Sequence, residues 1–98
     1  MLKNKLALIT GANSGVGLSV LKKFSENGAN VIACTRSQNE KFDQLISDIS
    51  KKYNNEITPV YFDLSKENEI EAAIKKINSI SPKIEIIVNN AGINQVSL

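Results

Sequence analysis

The chain has 98 residues, which is enough for at most one domain with a modest hydrophobic core. Its 42% of hydrophobic and 22% of charged residues are ordinary for a globular protein, and its net charge of +2 is too small to indicate a nucleic-acid-binding surface. No apolar run is long enough to cross a membrane, and the sequence has no histidine, which excludes metal sites built on imidazole.

Strands and helices alternate from the start of the chain. An apolar run predicts the first strand at Leu6 to Ile9, and a helical apolar stripe predicts a helix from Val16 to about Asn27. Gly28 stands just past that helix, where a residue in the left-handed conformation commonly ends a helix. The second strand is predicted at Asn30 to Thr35, and Ser37 to Glu40 fits a capping box at the start of a second helix.

The alternation continues in the second half of the chain. Five side chains define the apolar face of the second helix: Phe42, Leu45, Ile46, Ile49 and Tyr53. The third strand is predicted at Ile57 to Phe62, and Pro59 within it indicates a sheet edge because proline lacks a ladder donor. Ser65 is expected to cap a third helix. The apolar stripe of that helix consists of Ile70, Ala73, Ile74 and Ile77. The fourth strand is predicted at Ile84 to Val88.

This alternation predicts an α/β fold, a Rossmann-type parallel sheet with helices on both faces, strand order 3-2-1-4, stopping after the fourth strand. In this order the switch point falls between the first and fourth strands, and ligands bind there beyond the carboxyl ends of the strands. The glycine-rich segment after strand one and Asn89 to Gly92 after strand four both lie at this crevice.

The segment Thr10 to Leu18 reads T-G-A-N-S-G-V-G-L between a strand and a helix. Glycines allow a sharp turn and a close approach of the backbone, and free amides at a helix N-terminus suit a pyrophosphate, so the segment predicts a dinucleotide site. Leu18-Ser19 stands where a P-loop needs Lys-Ser/Thr, which excludes that motif. The alternative interpretation is a tight strand–helix junction that needs its glycines for packing alone.

Four segments occur in the order that is typical of one enzyme family. They are Thr10 to Gly17, Thr35-Arg36, Asp63-Leu64 and Asn89 to Gly92. Together they resemble the short-chain dehydrogenase/reductase family over essentially the whole chain, and most of all its 3-oxoacyl-[acyl-carrier-protein] reductase group.

The resemblance implies a set of cofactor-binding residues in each segment. The cofactor phosphates would be held by Gly11, Ala12, Asn13, Ser14, Gly15, Val16 and Gly17. Asp63 and Leu64 would lie beside the adenine ring, and Asn90, Ala91 and Gly92 would pack against the nicotinamide-side ribose. Two alternatives stay open: Asp63 as a turn residue before a capped helix, and Asn89 as a bridge between strands.

Arg36 bears on the choice between the two nicotinamide cofactors. Domains that favour NAD carry an acid near the end of the second strand, whereas this chain has no Asp or Glu between Val31 and Asn39. A guanidinium can bind a 2′-phosphate through two hydrogen bonds, so NADP is favoured. NAD remains the alternative, because Arg36 could instead stack on adenine or be solvated.

No catalytic residue is assigned in this sequence. The family uses an Asn, a Ser and a Tyr-x-x-x-Lys pair, whereas Tyr53 is followed four residues on by Ile57 and Tyr61 by Ser65. Residues 1–98 are therefore expected to be a partial NAD(P)-binding domain of an NADP-dependent oxidoreductase with a small-molecule carbonyl or alcohol substrate, inactive alone. A non-catalytic dinucleotide-binding module is the alternative.

Four further expectations concern the location of the protein, Cys34, metal ligands and oligomeric state. The single cysteine, Cys34, and the absence of a visible signal peptide favour the cytoplasm, and Cys34 itself is expected to be a small core residue. No metal ligands are predicted. The resemblance implies that the whole enzyme is a homo-oligomer, either a dimer or a tetramer.

Overall fold

The computed structural model describes residues 2–80 and 83–90. In these residues four parallel strands form one sheet in the order β3-β2-β1-β4. The strands are β1 (Leu6–Thr10), β2 (Asn30–Thr35), β3 (Ile57–Tyr61) and β4 (Ile86–Asn89). The helices that alternate with them are α1 (Gly15–Glu26), α2 (Glu40–Tyr53) and α3 (Glu67–Ile80). The predicted α/β class and the strand order 3-2-1-4 are confirmed.

Helices cover both faces of this sheet, as the sequence predicted. Helices α1 and α2 pack on one face, where the buried cluster consists of Ile9, Ala12, Leu21, Val31, Ala33, Phe42, Ile46 and Ile49. Helix α3 packs on the other face, where the buried cluster consists of Ile32, Cys34, Val60 and Ala73. Neighbouring residues of β2 alternate between the two clusters because successive side chains of a strand point to opposite faces.

Helix α1 begins and ends close to its predicted bounds. Ser14 occupies the N-cap position with an extended backbone, but its hydroxyl makes no cap hydrogen bond and donates instead to the Gly11 carbonyl oxygen at 2.9 Å. At the other end Gly28 has a φ of 92°, in the left-handed region that favours glycine. The predicted helix end at Gly28 is therefore confirmed, and the chain turns directly into β2.

The predicted caps of the two later helices are wrong in position. Helix α2 begins at Glu40, so Asn39 is its N-cap, and the Asn39 side chain accepts a hydrogen bond from the Phe42 amide at 3.1 Å. The capping box over Ser37 to Glu40 therefore does not form, since it would need the helix to begin at Gln38. Helix α3 begins at Glu67, one residue later than a cap at Ser65 requires, and the Ser65 hydroxyl donates to Asp63 instead.

The sheet has an edge at β3, and α3 leaves part of its own apolar stripe exposed. Strand β3 is an edge strand of the described sheet, which confirms the prediction from Pro59. On α3 only Ala73 of the predicted stripe is buried, and Ile74 is 52% exposed. Across the described part of the chain, no helix combines the length and the hydropathy that a membrane span requires.

Candidate functional site

A cavity of about 490 Å³ opens at the carboxyl ends of the strands. It lies beside the ends of β1, β2 and β3, and it reaches the predicted crevice between β1 and β4 through the glycine-rich turn and Asn90. Its lining consists of Gly11, Asn13, Ser14, Cys34, Thr35, Arg36, Phe62, Asp63, Leu64, Ser65 and Asn90. The structure thus brings all four sequence segments to one place.

The glycine-rich turn is anchored to the sheet by its own backbone. Gly11 has a φ of 60°, which a side chain would make costly, and the chain turns there out of β1. The Ala12 amide donates to the Cys34 carbonyl oxygen of β2 at 3.1 Å, and the Ser14 amide donates to the Gly11 carbonyl oxygen at 3.2 Å. These bonds hold the turn over the end of β2, at the rim of the cavity.

The glycines of the turn have different roles. A Cβ atom on Gly17 would collide with the Gly11 carbonyl oxygen and would stand 2.9 Å from Asn90 Nδ2, so only glycine lets α1 approach the turn this closely. A Cβ atom on Gly15 would meet nothing within 4 Å. Packing therefore explains Gly17, whereas Gly15 leaves the start of α1 open to a ligand.

The first amides of α1 are available to an anion. The Gly15, Val16 and Gly17 amides precede the first turn of helical hydrogen bonds, and no acceptor for them occurs among residues 2–80 and 83–90. The first turn of α1 also carries no acidic side chain. The positive end of this helix consequently has no carboxylate of its own first turn to compensate it, which is the arrangement that favours phosphate groups.

Two asparagines join the end of β4 to the turn. Asn90 Nδ2 donates to the Gly11 carbonyl oxygen at 3.1 Å and to Ser14 Oγ at 3.0 Å. Thr10 Oγ1 donates to Asn89 Oδ1 at 3.0 Å, so Asn89 bridges β1 and β4. The Ser14 hydroxyl and the Asn90 amide group are therefore engaged in holding the shape of the turn.

Opposite charges face each other at the ends of β2 and β3. Arg36 Nε donates to Asp63 Oδ2 at 3.3 Å, while the Arg36 side chain is 82% exposed. Asp63 Oδ1 accepts hydrogen bonds from the Ser65 amide at 2.9 Å and from the Ser65 hydroxyl at 2.8 Å. The bond from the Ser65 amide, then that from its hydroxyl, and the Arg36 charge hold the pKa of Asp63 below its ordinary value.

Cys34 lies at the floor of the cavity and belongs to the core on the α3 side. Its burial raises the pKa of the thiol to about 11, so the thiol is neutral near physiological pH. The prediction of a small core residue is confirmed. Sequence reasoning did not assign Cys34, Phe62 or Ser65 to the site. The available signal was their position, because each lies next to or near a motif residue at the end of a strand.

The residues predicted to bind the cofactor fall into four groups. Seven line the cavity: Gly11, Asn13, Ser14, Arg36, Asp63, Leu64 and Asn90. Ala12 and Gly17 are buried beneath the turn, while Gly15 and Val16 border a shallow depression along α1. Ala91 and Gly92 lie outside the described residues.

The chain belongs to the short chain dehydrogenase family, whose model matches residues 5–98. It is 38% identical over 96 residues to a 3alpha-hydroxysteroid dehydrogenase of Mediterraneibacter gnavus, covering 97% of this chain and 38% of that protein. It is 34% identical over 98 residues to a 3-oxoacyl-[acyl-carrier-protein] reductase of Chlamydia muridarum, covering 100% of this chain and 39% of that protein. The family that the sequence motifs resemble is thus confirmed.

A solved structure supports the same assignment. L-sorbose reductase from Gluconobacter frateurii, determined in complex with NADPH and L-sorbose, superimposes with a TM-score of 0.81 and 28% sequence identity. The match covers 92% of this chain and 34% of the reductase. The chain therefore spans little more than a third of the length of the relatives named here.

Proposed function

We propose that residues 1–98 form the cofactor-binding part of an NADP-dependent short-chain oxidoreductase. The observation that carries this proposal is the cavity of about 490 Å³, because residues from all four motif segments line it. Each of the four segments follows the carboxyl end of a parallel strand, so the fold brings them to the same edge of the sheet. A cavity that all four segments line at this edge is what a dinucleotide site requires.

The described contacts suggest which residues would hold each part of the cofactor. The glycine-rich turn and the open amides of α1 would bind the pyrophosphate. Asp63 and Leu64 would lie at the adenine, and Asn90, followed by Ala91 and Gly92, would lie toward the nicotinamide ribose. When bound, the nicotinamide supplies hydride transfer, and this chain contributes binding and orientation.

The choice of NADP rests on charge at the end of β2. Arg36 lines the cavity and is mostly exposed, and the sequence has no Asp or Glu between Val31 and Asn39. An acid at that position would accept from a ribose 2′-hydroxyl, whereas a guanidinium favours a 2′-phosphate. The NADPH in the complex of the sorbose reductase agrees with this choice, and NAD remains the alternative that the test must separate.

The substrate proposal stays at the level of a chemical class. The relatives are named for a hydroxysteroid, a 3-oxoacyl group on an acyl carrier protein, and the sugar L-sorbose, which share a carbonyl or alcohol group. We therefore propose hydride transfer to or from a small carbonyl or alcohol compound in the whole enzyme. A homo-oligomeric whole enzyme, as a dimer or tetramer, and a cytoplasmic location complete the proposal.

The 98-residue chain itself is expected to bind cofactor without turnover. Neither Tyr53 nor Tyr61 has a lysine four residues later, so the Tyr-x-x-x-Lys acid–base pair of the family is missing from this sequence. Purified chain incubated with NADPH and simple ketones should cause no loss of NADPH absorbance. Ketone-dependent oxidation that persists after repurification would contradict this expectation.

The cofactor choice is tested by Arg36→Asp. Fluorescence titration of the unaltered chain should show tighter binding of NADPH than of NADH, and the variant should lose this preference. The variant should lose about 1.5–3 kcal/mol of NADPH-binding free energy, which is the value of hydrogen bonds to a charged group. Lys75→Asp on the exposed surface of α3 makes the same charge change away from the cavity and should keep the preference. Equal affinities in the unaltered chain, or tighter NADH, would refute the choice of NADP.

A further inference from the structure

Arg36 is not the only charge at the place where a 2′-phosphate is proposed to bind. Asp63 lies 3.3 Å from Arg36 Nε and lines the same cavity. Arg36 uses one of its five N–H donors in this contact, and the other four have no acceptor among the residues that the structure describes. A ligand phosphate can therefore still bind Arg36, but it must do so beside a carboxylate.

We propose that Asp63 is a specificity-determining residue whose negative charge limits the preference for a 2′-phosphorylated cofactor. This inference rests on the proposed function, because it concerns the same cavity and the same cofactor. It gives Asp63 a role that is separate from any contact with adenine. An adenine contact is common to NADP and NAD, whereas the charge of Asp63 acts on the phosphate that only NADP carries.

Asp63 has two opposing effects on the binding of a 2′-phosphate. The carboxylate orients the guanidinium, which would favour phosphate binding, and it also repels the phosphate. The orienting effect is small, because an exposed ion pair with a long contact contributes little, and Arg36 is 82% exposed. The repulsion acts on a group with nearly two negative charges and does not need contact. We therefore expect repulsion to dominate.

Asp63 cannot easily withdraw from the site. Both hydrogen bonds from Ser65 fix Oδ1, and the Asp63 amide donates to Glu69 Oε1 at 2.9 Å. The Asp63 side chain is only 17% exposed, in contrast to that of its partner. Its lowered pKa also keeps the carboxylate ionised near neutral pH. The negative charge is therefore a permanent and fixed part of the cavity wall.

The test uses two small probes, 2′,5′-ADP and 5′-AMP, which both contain adenine and differ by the 2′-phosphate. Their affinities for the 98-residue chain are measured by calorimetry. The ratio of the affinity for 2′,5′-ADP to that for 5′-AMP gives the contribution of the 2′-phosphate to binding. Asp63→Asn keeps the size of the side chain and removes its charge. It should raise the ratio in favour of 2′,5′-ADP by roughly threefold to tenfold at low salt.

Two further variants complete the experiment. Glu85→Gln removes an equally ion-paired carboxylate at the opposite end of the sheet, where Glu85 contacts Lys5, and should leave the ratio unchanged. Arg36→Gln should lower the ratio. If Arg36→Gln leaves the ratio unchanged, the proposed choice of NADP fails, whereas the effect of Asp63→Asn is still measured independently.

If Arg36→Gln lowers the ratio but Asp63→Asn leaves it unchanged or lowers it, the inference about Asp63 is wrong and the proposed function stands. Binding of neither probe by the unaltered chain overturns both proposals. Circular dichroism establishes that each variant folds. If Asp63→Asn does not fold, the salt dependence of the ratio in the unaltered chain tests the inference. If the charge of Asp63 offsets that of Arg36, the ratio should change little with salt. A steep fall of the ratio with salt would show that Asp63 does not offset Arg36, and would overturn the inference.

Discussion

The two faces of the sheet differ in how completely helices cover them. Among residues 2–80 and 83–90, the core on the side of α1 and α2 contains eight buried residues, and the core on the side of α3 contains four. Leu6 and Leu8 on the α3 side are only partly buried. Ile87, which pairs in register with Leu8, is 69% exposed. Apolar burial therefore stabilises the fold mainly through the face that two helices share.

This difference extends to the candidate site, which lies at the carboxyl ends of the strands, between the helices of the two faces. The glycine-rich turn belongs to the well-covered side, because Ala12 is part of its core and Gly17 is buried against Gly11. Arg36 and Leu64 are exposed, and Arg36 and Asp63 contact their neighbours through hydrogen bonds and an ion pair. Changes in the turn should therefore affect folding and binding together, whereas changes at Arg36 and Asp63 should affect mainly the choice of cofactor.

The strongest test of the comparison replaces one isoleucine on each side. Ile46 of α2 is 4% exposed and Ile74 of α3 is 52% exposed. Ile46→Ala should lower the free energy of unfolding by about 2–5 kcal/mol, because it removes buried methyl groups and leaves a cavity. Ile74→Ala should cost less than about 1 kcal/mol. Urea unfolding followed by circular dichroism measures both, and equal losses would show that the faces contribute alike.

A second test separates two glycines within the turn itself. Gly17→Ala places a methyl group against the Gly11 carbonyl oxygen, so α1 or the turn must shift. We expect a loss of about 1–3 kcal/mol in stability, as for overpacked cores, and loss of cofactor binding. Gly15→Ala meets open space and should change stability by no more than about 0.5 kcal/mol. Thermal unfolding and NADPH titration of the two variants measure stability and binding. A Gly17→Ala variant that is as stable as the unaltered chain and still binds NADPH would contradict the close packing of α1 on the turn.

The sequence predicted the helices and strands well because the side of each element that is buried appears in the sequence as a periodic pattern of apolar residues. The second strand was predicted at the residues that β2 occupies, and Pro59 correctly placed β3 at an edge. Periodicity could not show how fully a face is covered, so Ile74 was expected in the apolar stripe and is half exposed. The cap of α2 was misplaced because Ser37 and Asn39 are both good cap residues, two positions apart.

The candidate site shows a similar division. Spacing alone picked out the glycine-rich turn, and strand order placed it beside the residues after β4. The contacts that connect these segments could not be read from the sequence, since they join residues far apart in the chain. Asn90 reaches Ser14 across 76 positions, and Arg36 reaches Asp63 across 27. Such contacts depend on side-chain conformations in the folded chain, which no local pattern reports.

The smallest expected effect concerns Glu85, which directly precedes β4 and contacts the start of β1. Glu85 accepts hydrogen bonds from Lys5 Nζ at 3.1 Å and from the Leu6 amide at 3.3 Å, and the Lys5 contact is the main cause of its lowered pKa. A carboxylate whose pKa is lower in the folded state stabilises the fold above its unfolded pKa, and this contribution is lost as the pH falls. Glu85→Gln should therefore be slightly less stable than the unaltered chain near neutral pH. The difference should shrink as the pH falls below the ordinary value of 4.5. Urea midpoints of both proteins over this range test the point, and a difference that stays constant with pH would show that the charge of Glu85 does not hold β4 in place.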